Sequence, residues 1–214
     1  MKHTRMIYQT DETRDRILAS ATGLFVRQGL FATQMQDIAI AVGISRTSLY
    51  RYYRDKFDLA TAIVNSMFTL MQTRWQAEEP GLIAGLDGLG CVDRYLREYW
   101  LAPQFATELY YLAEYDAFFS GVRVTPELGD RIKVAFQHKS RNPLIEYLNR
   151  GMADGSIRPD LNAHLTSVTL VNAVRGLQQR LLLRGRVLVE VETTELPRMT
   201  DELVRHLING IRKP

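Results

Sequence analysis

Arg46, Thr47, Ser48, Arg51 and Tyr52 fall on one side of a short helical stretch and form a hydrogen-bonding face suited to base-pair edges. An arginine fork matches both acceptors on guanine, while threonine and serine bond several bases or meet a thymine methyl. Leu49 and Tyr53 are four residues apart and turn together to the inward side. Tyr50, Tyr52 and Lys56 suit phosphate oxygens, contacts that fix register without reading sequence. The chemistry implied is recognition of duplex DNA rather than bond-making.

Such a face needs a second helix to prop it and a sharp turn between the two. Residues 33–58, TQMQDIAIAVGISRTSLYRYYRDKFD, supply both. Thr33 reads as the N-cap of the propping helix, with Gln36 completing a capping box and Met35, Ile38, Ala39 and Val42 as its buried stripe. Gly43 allows the left-handed backbone that ends it, and Ser45 caps the reading helix, residues 46–53. A first helix is predicted over residues 11–28, capped by Thr10, with Ile17, Ala21, Leu24 and Phe25 inward and Gly29 as its stop. Asp55 caps a longer fourth helix, whose stripe runs from Ala60 to Trp75 and which ends at Glu78-Glu79-Pro80-Gly81. The helix N-termini at Thr33 and Lys56 add positive dipole ends for phosphates.

Charge agrees with this placement. Residues 1–58 hold nine Lys and Arg against six Asp and Glu, so their net +3 equals that of the whole 214-residue chain. A basic segment joined to a neutral remainder suggests a polyanion-binding module attached to a different domain, residues 1–57 and 58–214. Cys91 is the only cysteine, which excludes an intrachain disulfide and fits a reducing compartment. With no signal-like N-terminus and no apolar run of membrane length, a cytoplasmic location is expected and no membrane partner.

The ordered series Ile17-Leu18, Ala21, Leu24-Phe25, Gly29, Thr33, Ile38-Ala39, Gly43-Ile44-Ser45, Leu49-Tyr50, Tyr52-Tyr53, Lys56 and Leu59 resembles the TetR/AcrR-type bacterial regulators over the first quarter of the chain. The resemblance implies an all-α homodimer of about nine helices per subunit. An N-terminal three-helix helix-turn-helix headpiece would bind a double-stranded DNA operator, and a C-terminal helical domain would bind an effector and dimerise. It also implies phosphate contacts at Tyr50 and Lys56 and a backbone-capping Thr33. Gln34 stands where a hydroxyl is common, Thr47-Ser48 where a small or glycine pair is frequent, Leu30 where an aromatic is usual and Phe57 where an acid is usual. The DNA-contacting set is therefore Thr33, Gln34, Ser45, Arg46, Thr47, Ser48, Tyr50, Arg51, Tyr52 and Lys56.

Beyond the headpiece, helices are predicted over residues 86–101, 104–120, 163–184 and 195–212, with starts at Pro126 and Pro143 and a loop at 187–192. Nine aromatics crowd residues 95–119, and Tyr95, Tyr99, Trp100, Tyr110, Tyr111, Tyr115 and Phe118 are the candidates for a small hydrophobic or aromatic effector. The last two helices carry apolar residues on more than one face, as expected of a homodimer seam. Enzyme readings find no support: His3, His138, His164 and His206 are scattered, and no phosphate-cradling loop or nucleophile elbow occurs. Glu78-Glu79 and Glu190/Glu192 read as solvent-facing, Cys91 as a small core residue, and no cofactor is called for. The leading expectation is a ligand-responsive repressor. Activation, or a binding module that retains the headpiece without operator control, stands as the alternative.

Overall fold

The structure is a computed structural model that describes residues 2–121, 124–136 and 142–214, with side chains from Asp11 onward except that of Arg186. Among these residues the chain is all-helical, with ten α-helices and no strand. A β-bridge joins Ile157 and Arg212. The Thr10 side chain lies outside the described residues, but α1 (Lys2–Ala32) begins well before it, so position 10 is not a helix start. Gly29 does interrupt α1, at φ 81° and ψ 158°.

The described chain divides into two compact units, Met1–Thr69 with Glu114–Phe136, and Leu70–Ala113 with Gln137–Pro214. In the first, α2 (Met35–Val42) and α3 (Arg46–Tyr52) follow α1, and α4 (Lys56–Leu82) begins. The end of α6 (Ala106–Phe118) and α7 (Pro126–Phe136) complete the unit. Ile17, Ala21, Phe25, Leu30, Ile38, Ala39, Leu49, Leu59 and Ile63 are among its buried apolar residues. Most lie at the helical spacings read from the sequence, because a stripe three and four apart can be removed from water only by turning to one side. Thr61 and Tyr115 share a 2.8 Å hydroxyl hydrogen bond, and the Phe57 ring meets Phe119 edge-on at 5.1 Å.

The second unit holds α5 (Gly88–Tyr95), α8 (Pro143–Asp154), α9 (Ala163–Arg184) and α10 (Leu196–Ile211). Asp87 caps α5 by accepting from the Gly90 N–H at 2.7 Å. The helix continues into a π turn over Leu96–Trp100. Tyr95, Leu96, Tyr99 and Trp100 are all buried along this stretch. Gln178 from α9 donates to the Trp100 carbonyl at 2.7 Å, satisfying one acceptor there.

One sequence expectation is overturned in this unit. Glu79 is not solvent-facing: it is buried and accepts a hydrogen bond from the Tyr147 hydroxyl. Pro80 does not end α4, which runs on to Leu82, so Glu79 extends the inward column of Met71 and Trp75 at four-residue intervals. Cys91 is fully buried and burial pushes its thiol upward, which makes it a small core residue. The 187–192 segment is irregular, as expected, between short 3₁₀ turns at Gly185–Val187 and Thr193–Glu195.

Burial raises the phenols of Tyr99 and Tyr115 from 10.0 to about 12. Because folding raises these values, the tyrosine contribution to stability is intact below pH 10 and declines as pH rises from there through about 12. An absorbance titration of tyrosinate should show a late-ionising class that disappears in denaturant. A single class at the ordinary value in the folded protein would contradict this packing.

Candidate nucleic-acid interface

On α3, Leu49 and Tyr53 are buried, while Ser45, Arg46, Thr47, Tyr50 and Arg51 are exposed and Ser48 and Tyr52 are half-buried. The helix is therefore sorted into an apolar underside and a polar outer face, as the four-residue spacing requires. Ser45 caps it by accepting from the Ser48 N–H at 3.0 Å, and the two serine hydroxyls lie 2.9 Å apart. Both hydroxyls already serve the helix start. Arg46 leans on Tyr50, with its Nη2 3.3 Å from the phenol oxygen and its guanidinium 5.4 Å from the ring centre. The outer face thus presents two arginines, Thr47 and a tyrosine to solvent.

α2 is held beneath this face by the turn through Gly43, at φ 75° and ψ 35°. Arg16 of α1 donates to the Val42 carbonyl at 2.6 Å, filling one acceptor at that helix end. The N-cap of α2 is Gln34 rather than Thr33, and its backbone N–H donates to Asp37 at 2.8 Å, so Gln36 is not the capping partner. Thr33 is fully buried: its hydroxyl donates to the Gly29 carbonyl at 2.8 Å and accepts from Gln28 at 3.2 Å. Its hydroxyl closes the α1–α2 junction and cannot reach a phosphate. A buried hydroxyl pairs locally before it waits for a ligand. Gln34 is exposed.

Lys56, the other expected phosphate contact, has a partner within the chain. Its Nζ donates to the Leu30 carbonyl at 2.8 Å and lies 5.3 Å from the Phe118 ring centre. Burial holds its pKa below the ordinary lysine value, against the opposing pull of Asp37. The side chain ties the end of α1 to the start of α4. An element that sequence inspection missed stands beside it: Arg131 of α7 forks onto Asp55 at 2.9 and 3.0 Å and also bonds Asp58. No local pattern marks that contact, since its partners lie 76 and 73 residues away in sequence.

The effector candidates divide between the two units. Tyr95, Tyr99 and Trp100 pack in the second, where Tyr95 and Tyr99 stack at 4.9 Å and Trp75 meets Tyr95 edge-on at 4.9 Å. Tyr111 is buried and Tyr110 half-buried. Tyr115 and Phe118 belong to the first unit, with Phe57 and Phe31 as ring partners. A groove of about 540 Å³ lies between α4 and α7, lined by Phe57, Thr61, Asn65, Arg131 and Val134 among others. A second, of about 670 Å³, lies between α5 and α10 and is largely polar. None of the seven aromatics lines either groove. Among the described residues no group of His, Cys, Asp or Glu could hold a metal ion, and no helix is long and apolar enough to cross a membrane. His138 and the His3 side chain lie outside the described residues.

Residues 17–63 match the family model for bacterial regulatory proteins of the tetR family. The HTH-type transcriptional regulator AcrR of Shigella flexneri is 36% identical over 76 residues, which span 34% of this chain and 35% of that protein. The match to AcrR thus covers about a third of either molecule. The HTH-type transcriptional repressor KstR2 of Mycolicibacterium smegmatis is 27% identical over 158 residues, 73% of each chain. The fatty acid degradation regulator FadR from Bacillus halodurans superposes with a TM-score of 0.64 at 16% identity, covering 94% of this chain and 97% of that one, a likeness of fold alone. The matched headpiece, the relatives that extend past it and the all-helical fold agree in likening the chain to the TetR/AcrR-type bacterial transcriptional regulators.

Proposed function

We propose that the chain is a cytoplasmic homodimeric repressor that reads a palindromic operator through α3 and leaves it when a small hydrophobic or aromatic effector binds the helical body. The observation that carries the reading is the sorting of α3, with Arg46, Thr47 and Arg51 exposed above a buried Leu49 and Tyr53. In this reading Arg46, Thr47 and Arg51 meet base edges, Tyr50 and Tyr52 meet phosphates, and Ser45, Ser48 and Gln34 lie at the groove margin. Lys56 contributes chiefly by holding α4 in place. Two copies would set their reading helices about 34–36 Å apart in successive major grooves.

Dimerisation is supported by α9, where Leu165 is 64% and Val168 43% exposed in the single chain, and apolar side chains so placed call for a partner. Repression rather than activation is supported by the KstR2 relative, which is named a repressor. Release by an effector requires that it bind the DNA-free arrangement better, and reversing a mostly bound population takes roughly 5.5 kcal/mol of differential binding. In this reading the effector is met by the aromatic side chains of α5 and α6 once they part to admit it, since they are largely packed away from solvent in the free chain.

The test is selection of duplexes from a random pool by the full chain. An inverted repeat should emerge, with affinity falling steeply as salt rises, with a log–log slope near −0.9 for each phosphate neutralised. Recovery of no preferred sequence, or affinity indifferent to salt, would refute the regulator reading and favour a module that keeps the headpiece for another purpose.

A further inference from the structure

We propose that Arg131 is a positioning residue for DNA reading, clamping the junction between α3 and α4 so that the reading helix is held at a fixed angle. The inference rests on α3 being the reading helix. Arg131 reaches Asp55 with both terminal nitrogens, at 2.9 and 3.0 Å, and one of them also bonds Asp58. Its guanidinium lies 4.5 Å from the Phe57 ring centre, so Asp55, Phe57 and Asp58 are all gripped by one planar group. The side chain is only 23% exposed, which limits competition from water.

The position of the clamp gives it leverage. Asp55 is itself the N-cap of α4, accepting from the Asp58 N–H at 2.9 Å. Only Tyr53, Arg54 and Asp55 separate the end of α3 from the start of α4. A shift of Asp55 is therefore transmitted to the reading helix across a chain too short to absorb it. Without Arg131, Asp55 and Asp58 would face each other as like charges one turn apart. Arg54 cannot replace it: its Nε is 3.7 Å from both carboxylates and the side chain is 62% exposed. Asp55 also carries the expected signature. Burial opposes its ionisation, yet the hydrogen bonds from Arg131 and the Asp58 N–H win and hold its carboxyl below the ordinary range. A lysine would not serve, because an ammonium is a point charge and cannot fork across two carboxylates.

The full-length wild type is compared with R131Q, R131K and D55N, using the duplex it selects itself and a scrambled duplex. R131Q and D55N should each lose about tenfold in affinity for the selected duplex, the scale of a lost charge-assisted pair, with scrambled-duplex affinity unchanged. R131K should fail to restore it. Adding D55N to R131Q should cost little more, since the pair acts as one unit. Amide exchange over residues 46–60 should accelerate in R131Q while that of α9 stays put, a readout independent of DNA. Unchanged exchange over 46–60, equal loss on both duplexes, or full function in R131K would overturn the proposal. Should the wild type select no duplex, the regulator reading falls, and the exchange result still decides whether the clamp exists.

Discussion

Replacing Arg46 and Arg51 together by alanine is expected to abolish operator binding while leaving the fold unchanged. Both side chains are exposed, and the nearest partner of Arg46 is Tyr50 on the same helix at 3.3 Å, so their loss removes little from the core. A well-formed arginine contact to a guanine is worth about 1–3 kcal/mol of discrimination. Two such contacts correspond to a loss on the order of a hundredfold to ten-thousandfold in specific affinity. The measurement is a titration of the selected duplex and a scrambled one by the double variant, with helicity and melting checked alongside. Full-strength sequence-selective binding by the folded variant would remove α3 from the reading role. The contrasting variant is Lys56→Ala, which should lower stability as well, because it strips the Leu30 carbonyl of its donor.

The second large effect concerns the body rather than the reading face. Gly88→Ala is expected to destabilise the second unit severely. A Cβ there would lie 2.1 Å from the Gly151 nitrogen, 2.2 Å from its Cα and 2.8 Å from the Tyr147 carbonyl oxygen, all backbone atoms with no rotamer to yield. The same approach lets the Gly88 N–H donate to Asp154 at 2.8 Å, so separating α5 from α8 also costs that bond. Overpacking of this kind costs typically 1–3 kcal/mol, and here about 3 or more is expected since neither helix can give. A chain of this size should then lose on the order of 10 °C in Tm. Gly81→Ala, where a Cβ meets nothing within 4 Å, should change Tm little. A Gly88→Ala protein melting like the wild type would show that α5 and α8 can separate at this crossing at little cost.

The headpiece was legible because its determinants are local. Ile38, Ala39 and Val42, then Leu49 and Tyr53, are buried where helical spacing placed them, and Gly43 has the left-handed backbone that ends α2. Such features are set within a turn or two of chain. The errors fall where side chains choose partners. Thr33 looked like a cap because it precedes the stripe, yet its hydroxyl turns back to Gly29 and the cap moves to Gln34. Glu79 looked like a solvated acid beside Pro80, yet the Tyr147 hydroxyl, 68 residues on, receives it inside the second unit. The π turn at Leu96–Trp100 left no mark in a simple periodicity count, since it adds one residue to a single turn.

The amino-acid order by itself determined that a basic, hydroxyl- and arginine-bearing helix would stand over a propping helix at the N-terminal end, with its apolar anchors facing away. That much follows from intrinsic periodicity and capping, which need no knowledge of distant residues. Only the tertiary structure decided which charges stay exposed to solvent and which are tied to a distant part of the chain. Lys56 is tied to Leu30, 26 residues earlier, and Asp55 is gripped by Arg131, 76 residues later. A charged side chain is claimed by whichever opposite dipole or charge the folded chain brings within about 3–4 Å, and proximity of that kind is a property of packing and not of neighbouring sequence.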